Sequence, residues 1–342
     1  MMKKLVALSL AVLMMLSVLT GCGNNTPAQD AGSQTAGSGA SGSGTDAAAP
    51  AESGEVDWSQ YHFGFSQDWN YIEWTQAMRD DIQAACAQYG IQLTVTDAGN
   101  SGEKQISDIE DLITLGVDAI LISTYHADAI ANATQEAMDS GIPVVVLSSE
   151  IPGVEPTCLV SADAVATGGT CAQYVMDKYP DGCNIIQLSG KEGSVVNQNR
   201  GIGFRNLIDA DSKYTVLAEM SCNYERSLAL TTMEDLIKVH GDKIDVVYTH
   251  NDDMALGAIQ ALKDADLKVN TEDGILVISA ADGIYEEVLD AVEAGEMISG
   301  KYPTFGAEGV DVAMQILTGK WGGGNMIAES PLITKDNVAE FR

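Results

Sequence analysis

Three observations predict an α/β fold of two doubly wound parallel-sheet lobes. From Tyr61 onward, short apolar runs rich in Val and Ile alternate with helical patterns. Some of those runs, such as Val144-Val145-Val146-Leu147, are apolar at every position, which suits strands covered on both faces. Roughly 280 residues of such repeats are long for one sheet, and a break falls near Ser161–Asp163, after five strands.

The elements follow in order, each strand run preceding its helix. His62–Ser66 leads to a helix over Ile72–Tyr89, Gln92–Thr96 to Glu103–Leu115, and Ala119–Ser123 to Ala127–Ser140. Pro143–Leu147 and Thr157–Ser161 close the first group, and a helix over Thr167–Lys178 opens the second. Then come Cys183–Leu188 with Val195–Ile208, Tyr214–Glu219 with Glu225–Val239, Asp245–Thr249 with Met254–Asp264, and Ile275–Ser279 with Tyr285–Glu293. Met297–Lys301 and a helix over Glu308–Leu317 complete the pattern. Two such lobes place the carboxyl ends of their strands at one mouth, where ligands of open α/β sheets bind.

Charge narrows the partners. The 342 residues carry 18 Lys and Arg against 49 Asp and Glu, a formal net charge of −31. Binding a nucleic-acid backbone or an anionic membrane face requires many cations to replace counterions, so both are excluded. Small molecules and proteins remain.

The first residues reverse that sign. Met1-Met2-Lys3-Lys4 precedes an uncharged apolar run from Leu5 to Leu19, a secretory leader too short to span a membrane comfortably. Leu19-Thr20-Gly21-Cys22 resembles a bacterial lipobox, which implies cleavage after residue 21 and a lipid on Cys22. Residues 22–57 are almost all Gly, Ser, Ala, Thr, Gln, Asn and Pro, and read as a tether of about 30 Å reach. The protein is thus expected outside the cytoplasm, anchored to the cell membrane by lipid. Beyond Cys22 stand Cys86, Cys158, Cys171, Cys183 and Cys222, an odd number without Cys-x-x-Cys spacing. They fit buried small side chains better than a disulfide framework.

Two loops after strands carry candidate binding groups. Ser66-Gln67-Asp68-Trp69-Asn70-Tyr71 mixes hydrogen-bonding groups with aromatic faces, as a sugar ring requires. Asn70 and Glu73 also fit a capping box, and the two roles are compatible. Tyr248-Thr249-His250-Asn251-Asp252-Asp253-Met254 runs from strand into helix. Asn251 there offers a donor and an acceptor, while Asp252 and Asp253 suit the helix start as caps.

Over Tyr61 to about Thr334 the chain resembles the periplasmic binding proteins of the ribose and galactose type, the type 1 fold of receptors serving sugar ABC importers. The resemblance rests on Gly64-Phe65-Ser66-Gln67, Asp97-Ala98-Gly99-Asn100, Lys104-Gln105-Ile106, Gly116-Val117-Asp118-Ala119-Ile120, Gly141-Ile142-Pro143-Val144, Arg200-Gly201-Ile202-Gly203-Phe204, His250 to Gly257, and Asp282-Gly283. It implies three chain crossings between the lobes, near Ala162–Asp163, Lys301–Tyr302 and Glu329–Pro331. The expected lobes are 58–162 plus 302–329, and 163–301 plus 330–342. It also implies a site of Ser66, Asn70, Ile72 and Glu73 in the first loop, Ser123 after the third strand, Arg200, Tyr224 as a stacking aromatic, Asn251, Asp282, and Lys301 at a crossover.

Departures from the family's pattern shape the expected ligand. Many members carry an Asp-Arg pair after the fourth strand, where this chain has Ser148-Ser149. Ile72 and Glu73 stand where aromatic or basic residues are common. Glu73 and Lys301 are therefore expected to line the pocket from opposite sides, for a ligand other than simple ribose.

The resemblance implies a monomeric receptor that closes on a monosaccharide or polyol and hands it to an ABC permease; a sensor presenting its closed form to a membrane kinase or chemoreceptor is the alternative. No enzyme chemistry and no cofactor or metal are expected: His62, His126, His240 and His250 lack ligand spacing, and no Gly-x-Ser-x-Gly elbow or phosphate fingerprint occurs. Adjacent Asp252 and Asp253 point in different directions, which disfavours a catalytic pair.

Overall fold

The structure, a computed structural model, describes residues 56–342. The leader, Cys22 and nearly all of the tether lie outside the described residues. The first lobe begins with β1 (His62–Gln67), α1 (Glu73–Tyr89), β2 (Gln92–Asp97), α2 (Gly102–Leu115), β3 (Ala119–Ser123), α3 (Ala127–Asp139), β4 (Val144–Leu147) and β5 (Cys158–Ala162). The second holds α4 (Ala164–Lys178), β6 (Asn184–Ser189), α5 (Val195–Ile208), β7 (Thr215–Ser221), α6 (Arg226–His240), β8 (Val246–Thr249), α7 (Asp252–Asp264), β9 (Leu276–Asp282), α8 (Glu286–Glu293) and β10 (Ile298–Lys301). The chain then returns to the first lobe for α9 (Gly306–Leu317) and β11 (Met326–Ala328), and ends against the second with β12 (Leu332–Ile333).

Each lobe is built on a six-stranded sheet. The orders are β11-β5-β4-β3-β1-β2 and β12-β10-β9-β8-β6-β7. All pairings are parallel except β12 on β10. In both sheets the chain reverses direction next to its first strand, β1 or β6, which opens a crevice at the carboxyl ends. Central strands such as β3, β4 and β8 are wholly buried, which explains their uninterrupted apolar sequences. Three passages of chain join the sheets, after β5, after β10 and between β11 and β12.

Local chemistry sets the boundaries. The α4 helix starts at Ala164, one turn before the expected Thr167, because the Asp163 carboxylate accepts from the Ala166 amide at 2.9 Å. β9 runs three residues past Ser279, its small Ala280 and Ala281 fully buried, and so carries Asp282 to its tip. β11 and β12, of three and two residues, are too short to leave a sequence pattern.

Glycine draws α4 and α5 together. A Cβ on Gly168 would stand 2.1 Å from the Arg200 carbonyl oxygen, and one on Gly203 2.0 Å from that of Val165. The helices therefore meet backbone to backbone. Phe204, next in sequence, stacks on Tyr248 of β8 with ring centroids 3.8 Å apart, fixing α5 against the sheet. Cys86, Cys158, Cys171, Cys183 and Cys222 are all buried free thiols, so their role is packing.

Candidate functional site

A cavity containing about 440 Å³ of space lies between the lobes. The first lobe contributes Ile72 and Trp74 from the start of α1, Ser123, Thr124 and Tyr125 after β3, and Ser148 and Ser149 after β4. The second contributes Val196 and Arg200 from α5, Tyr224 after β7, Asn251 after β8 and Asp282 at the end of β9. Tyr302 enters from the passage between β10 and α9. Aromatic faces alternate with polar groups around it, the mixture that small-molecule sites show.

The second lobe's polar groups are prepositioned. Arg200 is almost wholly buried; Nη1 donates to the His250 carbonyl at 2.7 Å, and the guanidinium lies 4.5 Å from the centre of the Tyr302 ring. Its Nε, the Tyr224 hydroxyl and Asp282 Oδ2 make no hydrogen bond within the protein, although all three are buried. Buried polar atoms without partners are costly, so three around one cavity mark where a polar ligand gains most. Burial, then the Asp252 carboxylate, push the Asp282 carboxyl well up, against the pull of Arg200.

The supporting layer is fixed by hydrogen bonds. His250 is pushed down to about 3 by burial and by Arg200, and is therefore neutral. Its Nδ1 stands 2.6 Å from Asn197 Oδ1 and its Nε2 3.1 Å from Gln187 Nε2, a pattern the Nδ1-protonated tautomer satisfies. Asn251 caps α7 by accepting from the Met254 amide at 3.2 Å and donates to the Tyr224 carbonyl at 3.3 Å. Tyr224 itself has φ of 65°, in the left-handed region, and fits only because Gly190 has no side chain: a Cβ there would lie 2.1 Å from the Tyr224 ring.

Known proteins resemble this chain in sequence and fold. A family profile described as periplasmic binding protein domain matches residues 63–320. The chain belongs to the periplasmic binding protein family. It is 34% identical over 215 residues to the ribose import binding protein RbsB of Bacillus subtilis strain 168, covering 63% of this chain and 69% of that one. Among solved structures, a galactofuranose-binding protein superposes with a TM-score of 0.76 at 28% identity, over 82% of this chain and 97% of the other. The fructose-binding periplasmic domain of a hybrid two-component system superposes with a TM-score of 0.73 at 27% identity, over 82% and 92%.

Within this periplasmic binding protein, Ile72, Ser123, Ser148, Ser149, Arg200, Tyr224, Asn251 and Asp282 come together around the cavity. Ser66, Asn70, Glu73 and Lys301 do not line it. Ser66 is wholly buried within β1. Asn70 turns its amide oxygen to Arg79 at 2.7 Å, and Ile72, not Asn70, occupies the cap position of α1, so the capping box does not form. Glu73 is exposed in the first turn, its carboxyl pushed up by partial burial and by Asp253. Lys301 donates to the Gly283 carbonyl at 3.2 Å, anchoring its ammonium beside the chain instead of across a pocket from Glu73.

The acidic pair of α7 also departs from a capping role. Asp252 is buried and accepts from the Gly283 amide at 2.7 Å and the Ser299 hydroxyl at 2.8 Å, tying β9 to β10 beneath the site. Asp253 pairs with Arg226 at 3.0 Å. Sequence reasoning missed Trp74, Thr124, Tyr125, Val196 and Tyr302 as cavity walls. Tyr302 follows the Lys301 crossover by one residue, and Trp74 follows Glu73 by one, so the segments were legible where the side chains were not.

Contacts also cross the binding protein's cleft. Tyr125 and Tyr224 rings face each other at 5.9 Å between centroids. Lys191, after β6, reaches Asn100 Oδ1 and lies 5.3 and 5.4 Å from the centres of the Trp69 and Tyr125 rings. These lobes are closed on each other.

Proposed function

We propose that this protein is an extracytoplasmic receptor that encloses a neutral sugar or related polyol between its lobes and delivers it to an ABC permease. The observation that carries the reading is the set of three buried, unpartnered polar atoms, Arg200 Nε, Tyr224 Oη and Asp282 Oδ2, on residues that line a cavity walled by Trp74, Tyr125 and Tyr302. Hydroxyls of a sugar both donate and accept, and the C–H faces of its ring suit aromatic walls. Ile72, Ser123, Ser148, Ser149 and Asn251 complete the proposed contacts.

Segments 58–162 with 302–329, and 163–301 with 330–342, act as rigid halves that ligand contacts to both sides hold shut. The receptor is monomeric and binds without chemistry. Its leader is removed and a lipid on Cys22 anchors it to the membrane. A thermal-shift screen of the full chain against monosaccharides and polyols tests the reading. A ligand at a hundred times its Kd adds about 2.7 kcal/mol, and no shift with any of them would refute the proposal.

The structural likeness to the fructose-binding domain of a two-component system favours one alternative, presentation of the closed form to a sensor kinase. Co-purification of liganded protein with a permease supports transport; co-purification with a kinase ectodomain supports sensing.

A further inference from the structure

Tyr302 lies in the passage between β10 and α9 and is almost wholly buried, yet it reaches lining residues of both walls. Toward the second lobe, its amide donates to the Asp282 carbonyl at 2.8 Å and its ring lies 4.5 Å from the Arg200 guanidinium. Toward the first, its carbonyl accepts from Trp74 Nε1 at 3.4 Å, and its hydroxyl stands 3.3 Å from both the carbonyl and the hydroxyl of Ser148. The phenol donates its proton to that carbonyl, which leaves the serine hydroxyl to donate back.

Ser148 is where this hold matters. Its φ is 71°, in the left-handed region that a side chain disfavours, and across it the Ser149 amide donates back to the Leu147 carbonyl at 2.9 Å. Three-residue turns of this hand are rare and strained, and they persist where neighbouring groups fix them. Two groups do so here. The Ser148 amide donates to the Val160 carbonyl at 2.8 Å, tying the turn to β5, and the Tyr302 hydroxyl holds the Ser148 carbonyl. Ser148 and Ser149 both line the cavity, so the conformation of this turn decides where two hydroxyls of the first wall stand.

We propose that Tyr302 is a positioning residue for ligand binding, holding the strained Ser148 turn in the conformation that presents Ser148 and Ser149 to the cavity. This role rests on the sugar-receptor reading and adds a residue that acts through the backbone of another. Because Asp282 and Arg200 seat Tyr302, the first wall is completed by a side chain that the second lobe also holds. Removing the phenol hydroxyl frees the turn, whereas removing the turn's strain makes that hydroxyl dispensable.

Calorimetric titration of the full chain with D-ribose, D-xylose, D-galactose, D-fructose and xylitol selects the tightest binder for the test. For that compound, Tyr302→Phe, which keeps the ring beside Arg200, should lower affinity about three- to tenfold. Ser148→Gly adopts a φ of 71° without strain, so adding Tyr302→Phe to it should cost less than about twofold. Ser148→Ala removes the same serine hydroxyl but keeps the strain, and on it Tyr302→Phe should still cost about threefold or more. Urea midpoints of the variants confirm that each is folded. A full cost of Tyr302→Phe on Ser148→Gly would make the phenol a direct ligand contact, and equal relief by Ser148→Gly and Ser148→Ala would remove the backbone from the account. Either result overturns the proposal, as does a cost below about twofold for Tyr302→Phe alone, while sugar binding by the natural chain keeps the receptor reading. Binding of none of the five compounds overturns both.

Discussion

The two walls of the cleft differ in kind. The first lobe presents Ile72, Trp74, Ser123, Thr124, Tyr125, Ser148 and Ser149, with no charged side chain, whereas the second presents Arg200 and Asp282 beside Tyr224 and Asn251. The second wall's polar groups are held by their own lobe: Arg200 by the His250 carbonyl, Tyr224 by Asn251, and the β9 tip by Asp252. Preorganised polar groups cost little to order on binding, so the second lobe supplies the grip and the first supplies aromatic cover. Ligand capture should then begin on the second lobe, with closure adding the first.

Arg200 tests that division most severely. Arg200→Met keeps much of the side-chain volume but removes a charged donor and the cation over Tyr302. A lost charge-assisted hydrogen bond costs about 1.5–3 kcal/mol, so sugar affinity measured by calorimetry should fall roughly ten- to over a hundredfold. A fall below threefold would place the grip elsewhere.

Acidification probes the same wall through His250. Its folded-state value of about 3 lies below the ordinary 6.5, so the unfolded chain binds more protons between those limits. Stability present above pH 6.5 should therefore be lost as pH falls toward 3. Asp252 and Asp282, both shifted upward chiefly by burial, act in the opposite sense: their native forms hold protons that unfolded carboxyls release, which offsets part of the loss at the acid end. Urea midpoints between pH 7 and pH 4 should decline in the natural chain and flatten in His250→Gln. An equal decline in both would remove His250 from the account.

Aromatic cover predicts a smaller effect. Trp74 packs against Tyr302 at 6.0 Å and Phe305 at 6.4 Å between centroids. Trp74→Leu should weaken sugar binding by about 0.5–1.5 kcal/mol, two- to roughly twelvefold. A loss as large as that of Arg200→Met would erase the distinction between the walls.

This asymmetry also explains what could be read from the sequence. Arg200, Tyr224, Asn251 and Asp282 each sit beside a local signal, such as the Gly-Phe pair that seats α5, the strand-to-helix run holding Asn251, or the Asp-Gly pair ending β9. Those signals are short-range because the groups are held by their own lobe. Tyr125 and Val196 become walls only when distant segments meet, and nothing in their neighbourhood announces it. Glu73 and Lys301 stand apart from the cavity for the converse reason. Their charges suggested a site, but one stays in water and the other finds the Gly283 carbonyl. Fold class was legible because apolar runs survive in the central strands such as β3, β4 and β8; β11 and β12 are too short to show them.

Lys191 provides the subtlest test, because it belongs to one wall and acts on the other. Rooted after β6, it meets Asn100 and the rings of Trp69 and Tyr125, while burial pulls its ammonium down and Asp68 draws it up. These contacts exist only with the lobes shut, so they stabilise the closed form without touching the ligand cavity. A half-buried cation over two rings is worth about 0.5–2 kcal/mol. Lys191→Met should therefore lower sugar affinity by a factor of about two to thirty, near the lower end if the aliphatic stem retains its packing. The loss should appear in the dissociation rate, since opening precedes release, with association nearly unchanged. Stopped-flow fluorescence of Trp69 and Trp74 on mixing with sugar separates the two rates. A change confined to association would make Lys191 an entry residue instead of a latch between the two walls.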